Sequence, residues 1–490
     1  MGKPAGFLEF PRKELGYRPG EDRVRDWRAV ERLPAAADVQ EQAARCMDCG
    51  IPFCHGCGCP LSNIIPEWND MVYRGKWRAA LDLLLLTNPF PEFTGRICPA
   101  LCEGSCVLGL NRDPVTIRAI ELAVIERGFA EGWMTPQPPL ERRAERVAVI
   151  GSGPAGLSVA QALNRRGFSV TVYDAAHKPG GILRYGIPEF KLEKAVIVRR
   201  VTLMEAEGVR FENGVVVGED VSLKFLRDRF DAICLAGGAR EPRNLAVPGR
   251  GLQGVYFAME YLRQQNRRLE GEPIPAREEI YAEGKHVVVV GGGDTGADCL
   301  GTALRQGAAD VLQIEILPEP PATRAPSTPW PAWPLMRRDS SSHKEGGTRR
   351  WCINPRELLG REGHVTTLRA VEVEWKSGPD GRPVMEDRPG TIFEVPADLV
   401  LLAMGFVGPR KGRILTDLGV QLDPRGNVTK DANNMTSVSG VFAAGDMARG
   451  ASLVVRAMAD GLATADGIER YLDGVKATRP AAAAWPAATI

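Results

Sequence analysis

Eight of the chain's eleven cysteines fall between Cys46 and Cys106, in two sets. RCMDCGIPFCHGCGCP carries Cys46, Cys49, Cys54, Cys57 and Cys59, and RICPALCEGSC carries Cys98, Cys102 and Cys106. The opening MGKPAGFLEFPRKELGYRPG has no apolar segment of the kind an export signal needs, so the cluster reads as a metal site rather than a disulfide framework. Thiolates in this number can hold two iron–sulfur clusters at four ligands each. Zinc is the rival, because CxxC pairs also build closed tetrahedral sites. Iron–sulfur is preferred because a flavin-type site follows in the chain, and zinc, which has no redox chemistry, could not relay its electrons.

That second site is the stretch VAVIGSGPAGLSVAQALNRRGFSVTVYD. An apolar strand over 147–150 feeds a GxGxxG turn in which Gly151 makes the tight turn, Gly153 admits a pyrophosphate and Gly156 lets the next helix lie close. Pro154 and Ala155 open that helix, over about 155–166, whose free N–H groups and positive end face the phosphates. A strand over 169–173 ends at Asp174, an acid placed to accept hydrogen bonds from a ribose diol. In KPGGILRYGIPEFKLEK, the Gly180-Gly181 pair lets backbone approach a flat ligand, with Gly181 and Leu183 as expected contacts. Gly445-Asp446, before a helix expected over 451–470, would hold a ribityl chain, with an ordinary helix cap as the plain alternative for Asp446. A second GxGxxG follows the strand 286–290, and its Gly291, Gly293, Asp294, Thr295 and Gly296 open a helix to about residue 305, followed by a strand over 310–317. Two such units imply two dinucleotides and a hydride passed between them. No side chain is named as a catalytic acid or base, because the cofactors carry the bond chemistry.

The elements that must position these residues follow from pattern. A short helix capped by Asp38 delivers Cys46 and Cys49, and a helical stretch over 67–87 separates the two cysteine sets. Residues 1–37 form either an arm wrapped on a neighbouring domain or a frayed terminus. Residues 135–145 are a proline-bearing linker, Pro188 starts a helix over 191–207, and strands are expected at 231–236, 364–395 and 398–403. Residues 318–350, with seven prolines and two tryptophans, make a long irregular segment of functional character. The fold class is α/β: two Rossmann-like, glutathione-reductase-type nucleotide-binding domains preceded by a mostly helical iron–sulfur domain. The expected boundaries are 1–140 for the cluster domain, 145–255 for the first part of the FAD-binding domain and 256–397 for the NAD(P)H-binding domain. The flavin domain then returns over 398–480, and 481–490 is a disordered tail. A net charge of +1 over 490 residues gives no reason to expect nucleic acid or an anionic membrane as partner, and the longest leucine run, 83–86, is too short to cross a bilayer. A cytoplasmic location is expected by default.

Taken together, RCMDCGIPFCH, IIPEWNDMVYRGKW, PEFTGRICPALCEGSC, DPVTIRAIE, VAVIGSGPAGL, GGILRYGIPEFK, VVVVGGGDTGADC and GVFAAGDM resemble the small (beta) subunits of glutamate synthases over nearly the whole chain. The resemblance implies that NADPH is oxidised at FAD and that electrons pass through two [4Fe-4S] clusters to a large (alpha) subunit. That partner carries FMN and makes glutamate from glutamine and 2-oxoglutarate. It also implies interleaved ligands: Cys46, Cys49, Cys54 and Cys106 for one cluster, and Cys59, Cys98, Cys102 and the non-cysteine Glu121 for the other. Two departures stand out. FCHGCGCP has one residue and one thiol more than the family pattern, so Cys57 competes with Cys59 as ligand. Where relatives carry an arginine that pairs with the 2′-phosphate of NADPH, this chain has Pro318-Glu319-Pro320-Pro321, leaving Arg324 or another base to do so. The alternatives are a stand-alone NAD(P)H-dependent flavin and iron–sulfur oxidoreductase with another acceptor, and a scaffold without turnover, which two intact glycine turns disfavour.

Overall fold

The computed structural model describes residues 3–14 and 16–478. The 481–490 tail, expected to be disordered, lies outside the described residues. The cysteine-bearing part is helical because its apolar residues recur at helical spacing. Its longer helices are α1 (Ala36–Ala44), α2 (Ile65–Tyr73), α3 (Trp77–Leu85), α4 (Pro91–Ile97) and α5 (Ile117–Ala130). In α3 the buried residues are Trp77, Ala80, Leu81 and Leu84, an i, i+3, i+4, i+7 stripe. The single helix expected over 67–87 is two, because Gly75, at φ 71°, takes the left-handed turn that ends α2. Nor does Asp38 cap α1. Ala35 holds the cap position, and the Asp38 carboxylate, inside the first turn, accepts from Lys13 Nζ at 2.7 Å.

Ten strands make two parallel five-stranded sheets: β1 (Arg146–Ile150), β2 (Ser169–Asp174), β3 (Arg210–Asn213), β4 (Ala232–Leu235), β5 (Val255–Phe257), β6 (His286–Val290), β7 (Asp310–Ile314), β8 (Thr348–Arg350), β9 (Leu399–Leu402) and β10 (Val441–Ala443). The first sheet runs β10-β4-β1-β2-β3 and the second β5-β9-β6-β7-β8. Their central strands are apolar runs buried on both faces, as helix-covered parallel sheets require. Residues 399–402 fall within the expected flavin-binding return, but β9 pairs with β5 and β6, so the chain leaves the second sheet only after it. Between β8 and β9 the strands Ile353–Arg361, His364–Ser377, Pro383–Asp387 and Phe393–Pro396 form an antiparallel sheet. The helix expected from Pro188 starts instead at Lys194 and runs to Ala206 as α6.

Three features tie the units together. The N-terminal arm crosses to both nucleotide units: the Val30 N–H donates to the Phe190 carbonyl at 2.9 Å, and Arg305 Nε donates to the Asp26 carbonyl at 3.1 Å. Arg200 of α6 and Glu92 of α4 form a fully buried bidentate ion pair at 2.5 and 3.0 Å. The proline-rich segment lies against the cysteine loops, with Trp330 and Phe53 ring centres 4.6 Å apart and Ser105 Oγ donating to the Pro331 carbonyl at 3.0 Å.

Candidate functional site

Gly151, directly after β1, has φ 109°, and a Cβ there would meet the Ala236 carbonyl oxygen at 2.4 Å, so only glycine lets the ends of β1 and β4 lie this close. A Cβ at Gly156 would meet the Gly151 carbonyl at 1.9 Å, and the helix Pro154–Arg165 therefore rests directly on the turn. At Gly153 a Cβ would find nothing within 4 Å, so this side of the turn, at the positive end of the helix, is open to a pyrophosphate. Gly181 closes on Gly153, its added Cβ falling 2.7 Å from the Gly153 Cα, and Gly445 closes on Ala155 in the same way. Three distant stretches thus converge on one helix end. Asp174 stands at the end of β2 as expected, its carboxylate accepting from Ser152 N at 2.7 Å, Ser152 Oγ at 2.5 Å and Ala176 N at 2.8 Å. Asp446 accepts from Ser452 Oγ at 2.6 Å and braces the loop leading into the helix Val454–Thr478; burial raises its pKa. Leu183 is fully buried in the core of this unit.

The second unit repeats the first. At Gly291, φ 127°, a Cβ would meet the Ala403 carbonyl at 2.3 Å, and at Gly296 one would meet the Gly291 carbonyl at 2.3 Å, while Gly293 again faces open space. Asp294 and Thr295 are the first two residues of the helix Asp294–Arg305. Sequence reasoning missed Glu315. One residue past β7, its carboxylate accepts from Gly292 N at 2.6 Å and Leu317 N at 3.0 Å, as Asp174 does at Ser152. The signal was available in the sequence, because Glu315 follows its turn at nearly the spacing by which Asp174 follows Gly151. A chain of hydrogen bonds supports this turn from behind. Ser340 N donates to His343 Nδ1 at 3.2 Å, which places the ring proton on Nε2, facing Gln313 Oε1 at 2.8 Å, and Gln313 Nε2 donates to the Gly291 carbonyl at 2.8 Å. Arg324 serves a different purpose from the one expected of it. Its guanidinium donates to the carbonyls of Thr328, Ala332 and Gly104, which straps the proline-rich segment to the cysteine domain.

The eight expected cluster ligands fall into two separate groups. Cys46, Cys49, Cys54 and Cys106 line one cavity, walled by Phe53, Ile65, Pro66 and Asn69 among others. Burial and the mutual field of these thiols push Cys46 up to about 12 and raise Cys49 and Cys54. Cys59, Cys98, Cys102 and Glu121 form the second group. There burial, with the field of neighbouring groups, lifts Cys59 to about 11 and Cys98 to about 12, and raises Cys102 well above its ordinary value. Glu121 is buried, accepts from Thr94 Oγ and, at 3.2 Å, from Asn88 Nδ2, and is raised by burial to about 7. The extra residue in FCHGCGCP is absorbed by a π-turn over Cys54–Gly58, closed by Cys59 N–H donating to the Cys54 carbonyl at 2.9 Å. The turn leaves Cys57 exposed and carries Cys59 into the second group.

These residues fit cubane clusters. Backbone N–H groups of Asp48, His55, Leu61, Ser62, Asn63, Ala100 and Leu101 face the sulfurs and favour the thiolate form. Among the described residues no three His, Cys, Asp or Glu side chains converge on a point that could hold a single metal ion. A cluster needs no such convergence, because it takes each thiolate on a different iron. The loops turn through left-handed non-glycine residues, Asp48 at φ 50° and Ala100 at φ 64°, at a cost of about 1–2 kcal/mol each. Cys59 and Cys98 also pack against the hydrophobic cluster that Leu61, Phe90, Phe93 and Leu101 share with the first nucleotide unit. Beside them an open cleft of about 700 Å³ is bordered by Cys57, Trp330, Trp333, Arg449 and Arg456.

Comparison with known proteins agrees with this division. Residues 23–133 match the family described as dihydropyrimidine dehydrogenase domain II, 4Fe-4S cluster, and residues 145–328 and 363–461 match the pyridine nucleotide-disulphide oxidoreductase family. The chain is 53% identical to the glutamate synthase [NADPH] small chain of Mycobacterium tuberculosis, with 97% of each chain covered. It is 40% identical to that of Bacillus subtilis, covering 97% of this chain and 99% of the relative. It is 44% identical to glutamate synthase [NADH] of Saccharomyces cerevisiae over 96% of this chain but 22% of that protein. In structure it is similar to the M. tuberculosis oxidoreductase FprA, with a TM-score of 0.55 at 20% identity over 68% of this chain and 86% of that one, a likeness of fold alone.

Proposed function

The chain belongs to the glutamate synthase small-chain family, and we propose that it is the electron-input subunit of such an enzyme. It oxidises NADPH, the coenzyme in the names of its bacterial relatives, and delivers the electrons to a large subunit that makes L-glutamate from L-glutamine and 2-oxoglutarate. When bound, FAD takes up hydride and two [4Fe-4S] clusters carry electrons singly. The protein's own work is placement. Gly151, Gly153 and Gly156 clear room for the FAD pyrophosphate, Gly181 and Gly445 bring backbone to the same helix end, and Gly291, Gly293 and Gly296 do the same for the coenzyme. Cys46, Cys49, Cys54 and Cys106 hold one cluster, and Cys59, Cys98, Cys102 and Glu121 the other. The observation that carries the reading is the separation of the ligands into two groups, one of them packed on a hydrophobic cluster shared with the flavin unit. No helix among the described residues is long and apolar enough to cross a membrane.

The test begins with iron and flavin analysis of anaerobically purified protein, followed by titration with NADPH and with NADH. The expected result is loss of both flavin and cluster absorption on reduction, and glutamate formation when the large chain is added. Fully loaded protein that neither coenzyme reduces would refute the proposal. Reduction without glutamate formation by the pair would favour a stand-alone oxidoreductase.

A further inference from the structure

The wall of the first cysteine cavity is apolar except at one place. Met47, Phe53, Ile65, Val107, Leu108 and Ile117 are typical of it, and apart from the four thiols Asn69 is the only polar side chain among the described residues that line it. Asn69 is completely buried, and neither its Nδ2 nor its Oδ1 meets a nitrogen or oxygen partner in the protein; its amide is turned instead to the Cys46 thiol. Leaving an amide in that state carries its full desolvation penalty, and a leucine of nearly the same shape would remove it. Asn88, also fully buried, shows the usual solution, its amide donating to Thr94 and Glu121. Asn69 lies one turn after Ile65 on α2, so the helix presents both to the cavity, and its amide favours the anion of Cys46.

We propose that Asn69 donates its N–H to the sulfur shell of the cluster held by Cys46, Cys49, Cys54 and Cys106, and thereby raises that cluster's reduction potential. The assignment rests on the cluster reading above. A cluster gains negative charge on reduction, so a donor aimed at its sulfur stabilises the reduced form more than the oxidised one. The second group has the opposite bias, because Glu121 adds a carboxylate to it. The group packed on the flavin unit is thus the harder to reduce and the farther one the easier, an order that favours electron flow away from the flavin.

The experiment is an EPR-monitored redox titration of the anaerobically purified full chain, comparing wild type with Asn69→Leu. One of the two reduction steps is expected to fall about tenfold in equilibrium constant, about 59 mV for one electron, with the other step and the iron content unchanged. Where Asn69→Leu fails to retain iron, Asn69→Ala and Asn69→Ser decide: a lowered step in the alanine variant that serine partly restores supports the proposal. Retained iron with neither step moved, or both moved equally, overturns it. A wild type that binds no iron overturns both this proposal and the cluster reading.

Discussion

The Arg200–Glu92 pair gives the sharpest test of how the cluster domain is held to the flavin unit. Arg200 is 1% and Glu92 0% exposed, and two short N–H···O contacts join them. Breaking a buried pair by removing one partner costs about 3–5 kcal/mol, because the other charge is left without compensation. Glu92→Gln should therefore lower the urea midpoint by about 1 M or more, taking an m-value of about 1–3 kcal/mol/M. Removing both charges is a different matter. Arg200→Met with Glu92→Leu replaces an expensive desolvated pair by apolar groups, and its midpoint should return to within about 1 kcal/mol of wild type or exceed it. Because α4 leads directly into Cys98, the single variant should also release iron faster from the second group than from the first. The assays are urea denaturation followed by fluorescence, and chelator-monitored iron release. If Glu92→Gln costs no more than the loss of an exposed pair, about 0–1 kcal/mol, or if the double variant is no better than Glu92→Gln, the pair does not do what its burial implies.

Three further outcomes are expected. Glu315→Gln, which keeps an acceptor for the Gly292 N–H but removes a charge from beside the ribose, should raise kcat/KM for NADPH relative to NADH about tenfold, equivalent to about 1.4 kcal/mol; an unchanged ratio would place the 2′-phosphate elsewhere. Cys57→Ser should retain all its iron, whereas Cys59→Ser should lose that of the second group, which iron analysis distinguishes. His343, held at about 4 by burial, by Arg349 and by Lys191 against the partial opposition of Asp339, with Arg337 adding to the positive field, is neutral in the fold at neutral pH. Between pH 6.5 and 4 the unfolded chain takes a proton that the native ring refuses, so this contribution is complete above 6.5 and is lost as pH falls through that window. The denaturation midpoint should fall accordingly, and His343→Gln should flatten the slope.

Both glycine turns were legible because each glycine answers a local steric demand, and the demand is written in the spacing. What could not be read depended on contacts made far along the chain. Arg324 looked like a phosphate ligand in its own strand–turn–helix unit, but the carbonyl of Gly104, in another domain, claims one of its nitrogens. The strand 399–402 resembles its counterpart at 232–235 and falls in the expected flavin-binding return, yet it completes the other sheet; apolar runs of equal length carry no label for which sheet they complete. The exposure of Cys57 and the placement of Cys59 beside Cys98 and Cys102 follow from one i−5 hydrogen bond, a backbone detail to which residue type is blind. Asp38 was the right kind of residue for a cap, but Ala35 occupies that position and Lys13, from the arm, takes the Asp38 carboxylate.

The proline-rich segment issues from the coenzyme-binding unit yet touches Phe53, next to Cys54, and Gly104, midway between Cys102 and Cys106. One continuous stretch of backbone thus buttresses both cysteine loops, and a displacement of it would press on the two together.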